Sequence, residues 1–212
     1  MGAPVIMSDM AGTTPRISAE QAARFDSMML RLERRFFADT RGWICSRSRG
    51  EVLEIAVGTG LNLPHYPDRV RLTGVDLNPE ILDFARRRAS VIGREIELGQ
   101  ADAMALPFAD ESFDSVVCTF ALCEVPDEAQ AISEALRVLR PGGSLLLADH
   151  VVATNVMVRA GQRVLEAVTI RMSGEHFTRR PSDHLEAQGA QVVASDRFTY
   201  GAVERVHARK YA

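Results

Sequence analysis

The stretch that most restricts the fold is Val52-Leu-Glu-Ile-Ala-Val-Gly-Thr-Gly60, followed by Asp76 within Gly74-Val-Asp-Leu77. A nearly unbroken apolar run that ends in a glycine turn reads as a parallel strand, buried on both faces and feeding a loop. Glycines at 58 and 60 let the backbone approach a ligand where a β-carbon would intrude. An acid about 20 residues further on, at the tip of the next strand, suits the two hydroxyls of a ribose. The first half of the chain is therefore expected to bind a nucleoside.

The pattern around this stretch alternates strand and helix. Strands are expected over 51–57, about 71–76, about 95–100, 115–120 and 144–148. Asn78-Pro79-Glu80 supplies an N-cap, a first-turn proline and a first-turn acid for a helix through Ser90. Asp127 and Gln130 open another, with Ile132, Ala135, Leu136 and Leu139 on its buried side, and Pro141-Gly-Gly143 reads as the turn after it. After His150 a helix over 155–172 and a shorter one from Pro181 to Gln188 precede two alternating segments, 191–198 and 203–211, around Tyr200-Gly201. The expected fold is α/β: a Rossmann-like doubly wound sheet of seven strands, mostly parallel with a C-terminal antiparallel hairpin, plus an N-terminal helical extension.

Residues 1–17 lack periodicity and read as a mobile tail. Ser18 and Gln21 form a capping-box pattern before the stripe Ala22, Phe25, Met29, Leu32 and Phe36. Residues 18–49 are thus an extension or lid, and 50–212 the main domain. Arg24, Arg31, Arg34 and Arg35 lie mostly off the stripe and read as a solvated face; the sharper reading is a substrate lid or a foothold on an anionic surface. Net charge −3 argues against a nucleic-acid partner. Three cysteines without a CxxC suggest neither a disulfide framework nor a metal site, and point to a cytoplasmic setting. Membrane association is open to the chain but not expected, and the chain is expected to be a monomer or a homodimer.

Several cofactors use a glycine loop. A dinucleotide would need a small residue at 63, where this chain has Leu63 followed by Pro64, and no Gly-Lys-Ser/Thr phosphate loop is present. The loop therefore suits a ligand without phosphate. At this point Val52–Gly60 resembles the first motif of class I S-adenosylmethionine-dependent methyltransferases. Gly74–Asn78, Ala101–Phe108, Asp110–Asp114 and Leu139–Gly143 follow in that family's order. The ubiquinone/menaquinone-biosynthesis branch is the most similar, and Gly58–Tyr66 with Leu122–Pro126 resembles the bacterial phosphatidylethanolamine N-methyltransferase-like and thiol methyltransferase-like members.

The resemblance implies S-adenosyl-L-methionine as cofactor, S-adenosyl-L-homocysteine as product and a small-molecule methyl acceptor. It implies that Glu54, Ala56, Gly58 and Gly60 hold the methionine end, with Asn62 beside them. Asp76 takes the ribose, with Leu77 next to it; Asp102 and Ala103 take the adenine; Thr119 and Phe120 line the sulfonium channel. Where the family has its first glycine this chain has Ala56, whose methyl fits if φ is negative. Candidate catalytic bases are His150 at the end of the fifth strand, His176 in Ser173-Gly-Glu-His-Phe177, and Tyr66 after the cofactor loop; each also reads as structural. His184 and His207 read as structural, and Cys123 as an inert thiol. An apolar acceptor pocket of Phe25, Met28, Met29, Tyr66 and Phe177 completes the expectation. A phospholipid amine acceptor, a non-catalytic cofactor-binding protein and a nicotinamide oxidoreductase are the alternatives.

Overall fold

The computed structural model describes residues 19–37, 39–172 and 176–212. The tail 1–17, the Ser18 cap and Ser173-Gly-Glu175 lie outside the described residues. Helices α1 (Ala19–Phe36) and α2 (Thr40–Cys45) precede β1 (Glu51–Ile55), β2 (Arg71–Asp76), α3 (Pro79–Ile92) and β3 (Glu97–Gln100). There follow β4 (Phe113–Thr119), α4 (Glu128–Val138), β5 (Leu139–His150), α5 (Val156–Met172), β6 (Ala190–Phe198) and β7 (Val203–Lys210). The seven strands form one sheet in the order β3-β2-β1-β4-β5-β7-β6. β1 to β5 pair in parallel, and β7 runs antiparallel to both β5 and β6. This is the doubly wound sheet with a closing antiparallel hairpin that the alternation called for.

Successive side chains on a strand point to opposite faces, and the two faces carry separate cores. Leu53, Ile55, Val116, Cys118, Leu145 and Leu147 pack with α4 residues Ile132, Ala135 and Leu136 on one face. Val52, Val117, Leu146 and Ala148 pack with α3 residues Leu82, Ala85 and Ala89 on the other. Burial on both sides explains why these strands read as continuous apolar runs.

Four local features depart from the expectation. Helix α2 was not anticipated, because six residues carry too little periodicity. It is part of the core, with Ile44 and Cys45 fully buried against the α3 side. Helix α3 runs on to Ile92, since its stop is Gly93 in the left-handed conformation at φ +66°, not Ser90. Pro141-Gly-Gly143 is not a separate turn: α4 runs directly into β5, Leu139 pairs with Phe113, and a register shift between Phe113 and Ser115 absorbs the glycines. The segment after Pro181 is one 3-10 turn, Pro181–His184, not a helix to Gln188.

The sheet's edges are short or irregular. β3 has four residues, and outer strand β6 carries a bulge between Val192 and Ala194.

Candidate active site

The strand order reverses between β1 and β4: β2 and β3 lie to one side, β5 to β7 to the other. Open α/β sheets take ligands in the crevice that such a reversal leaves at the carboxyl ends of the strands. A crevice lies there. It is lined by Ile55 to Thr59 after β1, Asp76 and Leu77 at the tip of β2, Ala101 to Ala103 after β3 and Thr119 to Ala121 after β4. Met29 of α1 and Arg41 of α2 complete the wall.

The glycine loop is shaped for a close approach. Gly58 has φ +55°, and a β-carbon there would meet nothing within 4 Å, so the loop leaves open space where a ligand can press on backbone. Its N–H donates to Asp76 Oδ2 at 2.9 Å, while Asn78 N–H donates to Oδ1 at 2.9 Å. Burial pushes the Asp76 carboxyl up and those amides pull it down. Gly60 serves packing instead: with φ +81°, its β-carbon would lie 2.8 Å from Leu63 Cδ1.

Ala56 has φ +54°, so the negative φ that the alanine was expected to need is not what the chain adopts. The residue takes the left-handed conformation and its methyl packs against the core. The penalty falls on the backbone, not on the crevice. Left-handed φ in a residue with a β-carbon costs about 1–2 kcal/mol, partly offset by glycine's greater freedom when unfolded. Ala56→Gly should therefore raise stability by about 1 kcal/mol, read as an upward shift of the urea midpoint at unchanged slope; a lower midpoint would contradict the strain. Phe120, at the tip of β4, carries the same strain at φ +54°.

Behind the loop lies a buried polar cluster. The Glu54 carboxylate, 2% exposed, does not line the crevice; its Oε1 accepts from Asn62 Nδ2 at 2.8 Å. Asn62 Nδ2 also donates to Thr119 Oγ1 at 2.9 Å, and its Oδ1 accepts from Arg41 Nη1 at 2.7 Å. Glu54 thus reaches the crevice only through Asn62, Thr119 and Arg41. Its Oε2 and the Tyr66 hydroxyl are buried without a hydrogen bond of normal geometry. Burial pushes the Glu54 carboxyl up to about 7, against the pull of Tyr66, Asn62 and Arg41.

Tyr66 is itself buried in this cluster beside Cys45 and Glu54, and burial holds its hydroxyl well above the usual phenol range. It stands behind the loop and away from the crevice, where a proton acceptor would be needed. The expected apolar acceptor pocket is also not assembled. Met29 lines the crevice, but Met28 is exposed and Phe177 packs on His150; the Phe25 side chain lies outside the described residues. Leu32, placed on the buried stripe of α1, is exposed.

On the far side of the crevice, Asp102 Oδ1 accepts from Met104 N–H at 2.8 Å. The turn carrying Asp102 and Ala103 is braced by α4: Leu106 N–H donates to Glu134 Oε2 at 2.8 Å, and Arg137 donates to the Leu106 and Phe108 carbonyls at 3.0 and 2.8 Å. Phe120 projects from β4 between the Arg41 guanidinium, 5.5 Å from its ring centre, and a group of rings. His150 lies 5.5, 5.4 and 5.7 Å from the ring centres of Phe37, Phe120 and Phe177. The neighbouring Asp149 is taken up by the amides of Ala121, Cys123 and His150. His176 Nδ1 lies 3.3 Å from Glu166 Oε1, and the His176 backbone N–H donates to the Cys123 carbonyl at 2.8 Å. His150 and His176 therefore stand beside crevice-lining residues without lining the crevice themselves. His184 and His207 are tied to Glu128 and Ser144 and do not line the crevice.

Helix α1 is latched to the loop. Thr59 Oγ1 donates to Asp26 Oδ1 at 2.6 Å, and Arg88 Nη2 of α3 donates to Asp26 Oδ2 at 2.5 Å. Neither Asp26 nor Arg41 was singled out from the sequence. Asp26 sits beside an apolar stripe and Arg41 in a six-residue helix, and only the fold brings them to the loop.

Comparison with known proteins now adds the family. A family model described as a methyltransferase domain matches residues 53–147, the span from β1 to β5 that carries every loop of the crevice. Residues 53–147 belong to the methyltransferase-domain family. A ubiquinone/menaquinone biosynthesis C-methyltransferase of Hahella chejuensis is 36% identical over 166 residues, covering 72% of this chain and 66% of that protein. A phosphatidylethanolamine N-methyltransferase of Cereibacter sphaeroides is 46% identical over 103 residues, covering 48% of this chain and 51% of that one. The chain thus spans about half the length of that relative. A crystal structure of a Bacillus halodurans protein superposes with a TM-score of 0.70 at 24% identity, covering 81% of this chain and 98% of that one, which shows the fold. The methyltransferase family read from the ordered motifs is the one the comparison finds.

Proposed function

We propose that this chain is an S-adenosylmethionine-dependent methyltransferase acting on a small acceptor of apolar or aromatic character. The observation that carries the reading is the open cradle at Gly58, hydrogen-bonded to Asp76 at the switch point of a methyltransferase domain. The site's donors and acceptors fit this cofactor. Asp76 offers a carboxylate to a ribose diol, Asp102 and Ala103 a polar edge to an adenine, and Gly58 room for an uninterrupted chain of atoms. Arg41, which lines the crevice beside Thr119, offers a cation to an amino-acid carboxylate.

When bound, the cofactor supplies a methyl group already activated on a sulfonium. The protein's task is then to hold the acceptor atom close and in line, and positioning of this kind removes about 7–11 kcal/mol of a barrier. Phe120 and Met29 give the acceptor end an apolar wall that excludes water. Amines and thiols need little help in shedding a proton, but a phenol or alcohol needs a base. His150, beside crevice-lining Phe120, and His176, held by Glu166, are the candidates for that role.

Calorimetric titration tests the cofactor: S-adenosylmethionine should bind and NAD should not. A mass-spectrometric screen over phenols, thiols, amines and quinols should then show a single methyl gained by one class, with His176→Ala slower only where the acceptor bears an O–H. Tight binding without turnover across the panel would favour a non-catalytic cofactor-binding protein. The similarity to a phosphatidylethanolamine N-methyltransferase over half the chain supports a second reading, a phospholipid amine as acceptor, which the amine arm of the screen tests.

A further inference from the structure

Helix α5 wears its polarity inside out. A helix on a globular domain normally turns its apolar stripe inward. Here the inward face holds Gln162, buried, whose Oε1 accepts from Ala153 N–H and whose Nε2 donates to the Val151 carbonyl, each at 2.8 Å. Glu166 also faces inward, toward His176. The outward face holds Val156 (65% exposed), Met157 (81%), Val164 (73%) and Leu165 (51%). At about 100° per residue these four, with Ala160 and Gly161, fill one continuous half of the helix circumference. Tyr200, 71% exposed, adjoins the start of the helix, its carbonyl accepting from the N–H groups of Thr154 and Asn155.

The charges on α5 are mostly basic. Arg163 adjoins one edge of the apolar arc with Arg159 further round on the same side, the helix's one acid, Glu166, is turned toward His176, and the Arg171 side chain lies outside the described residues. Among the described residues no helix is long and apolar enough to cross a membrane, so this one does not span. An apolar arc flanked on one side by arginines, on a helix that cannot cross, is the form of an interfacial segment. We propose that α5 and Tyr200 rest in the surface of an anionic phospholipid bilayer, the apolar arc among the acyl chains and the arginines among the headgroup phosphates. A second copy of the chain fits the surface less well. A helix of this length presents an arc of about 250 Å², roughly a third of what one partner gives to a stable interface. The inference goes beyond methyl transfer and does not depend on it.

Sedimentation of the intact chain with vesicles tests it. The protein should pellet with phosphatidylcholine vesicles containing phosphatidylglycerol, pellet much less with phosphatidylcholine alone, and be released by high salt. Val164→Glu and Met157→Glu, both at solvent-facing positions, should abolish pelleting with unchanged near-ultraviolet circular dichroism. Arg159→Gln and Arg163→Gln should each weaken it by about fivefold. An intact chain that stays in the supernatant with anionic vesicles overturns the proposal, as does a Val164→Glu protein that pellets like the parent. A dimer in sedimentation velocity that Val164→Glu dissociates, without vesicle binding, would assign the surface to a second copy instead.

Discussion

Glu54→Gln should stabilise the ligand-free protein by about 2–3 kcal/mol above neutral pH, and progressively less as the pH falls toward 4. The sign follows from burial. The Glu54 carboxyl is raised from 4.5 to about 7 in the fold, so folding favours its protonated form. Its contribution is fully present below the unfolded value and is lost as pH rises through the folded one. Above that, the native state holds a fully buried carboxylate beside Asn62 and Tyr66, and glutamine removes the charge while its amide can donate to the Tyr66 oxygen. Urea midpoints of both proteins across pH 4 to 8 would show it. A stability difference independent of pH would mean that another group titrates. The same substitution should weaken S-adenosylmethionine binding above neutral pH, since that ligand is cationic at its sulfur and ammonium and gains from a carboxylate behind Asn62. In the parent, affinity should rise with pH through about 7; in the variant that rise should vanish.

Asp76→Ala should weaken cofactor binding by about 1.5–3 kcal/mol, roughly 10- to 150-fold, through loss of a charge-assisted bond. Two effects are mixed in that figure, because the carboxylate also holds the Gly58 and Asn78 amides. A 2′-deoxyribose analogue separates them. The parent should discriminate against it and Asp76→Ala should not, whereas a variant that had only loosened the loop would keep the discrimination. Equal affinity of parent and variant for the natural cofactor would put the ribose elsewhere.

These two carboxylates also show what the sequence could and could not tell. Asp76 was legible because its place depends on local order alone: a strand, an acid at its tip, then Asn78 and Pro79 starting a helix. Glu54 was named but misplaced by one layer. From the sequence it is an acid in the first motif, and only the packing of Asn62, Tyr66 and Cys45 shows it behind the loop. Ala56 failed in the same way, since the sign of φ belongs to the turn and not to the residue type. The strand order was readable because parallel strands joined by helices leave few topologies. Arg41 and Asp26 were not readable: both reach the site from helices whose docking depends on contacts distant in the chain. The polarity of α5 was open to inspection but ambiguous, because a helical stripe of Val, Met and Leu reads as core until the buried Gln162 shows which side faces in.

The irregular rims of the sheet bear on how molecules of this kind avoid one another in solution. A flat outer strand with free amides and carbonyls is a template for another chain, and natural sheets blunt it by shortness or by a bulge. The four-residue β3 and the kink at Val193 in β6 do this at opposite ends, although Val192 and Val193 are exposed. Copies of this chain crowded together would thus lack a straight border along which to zip.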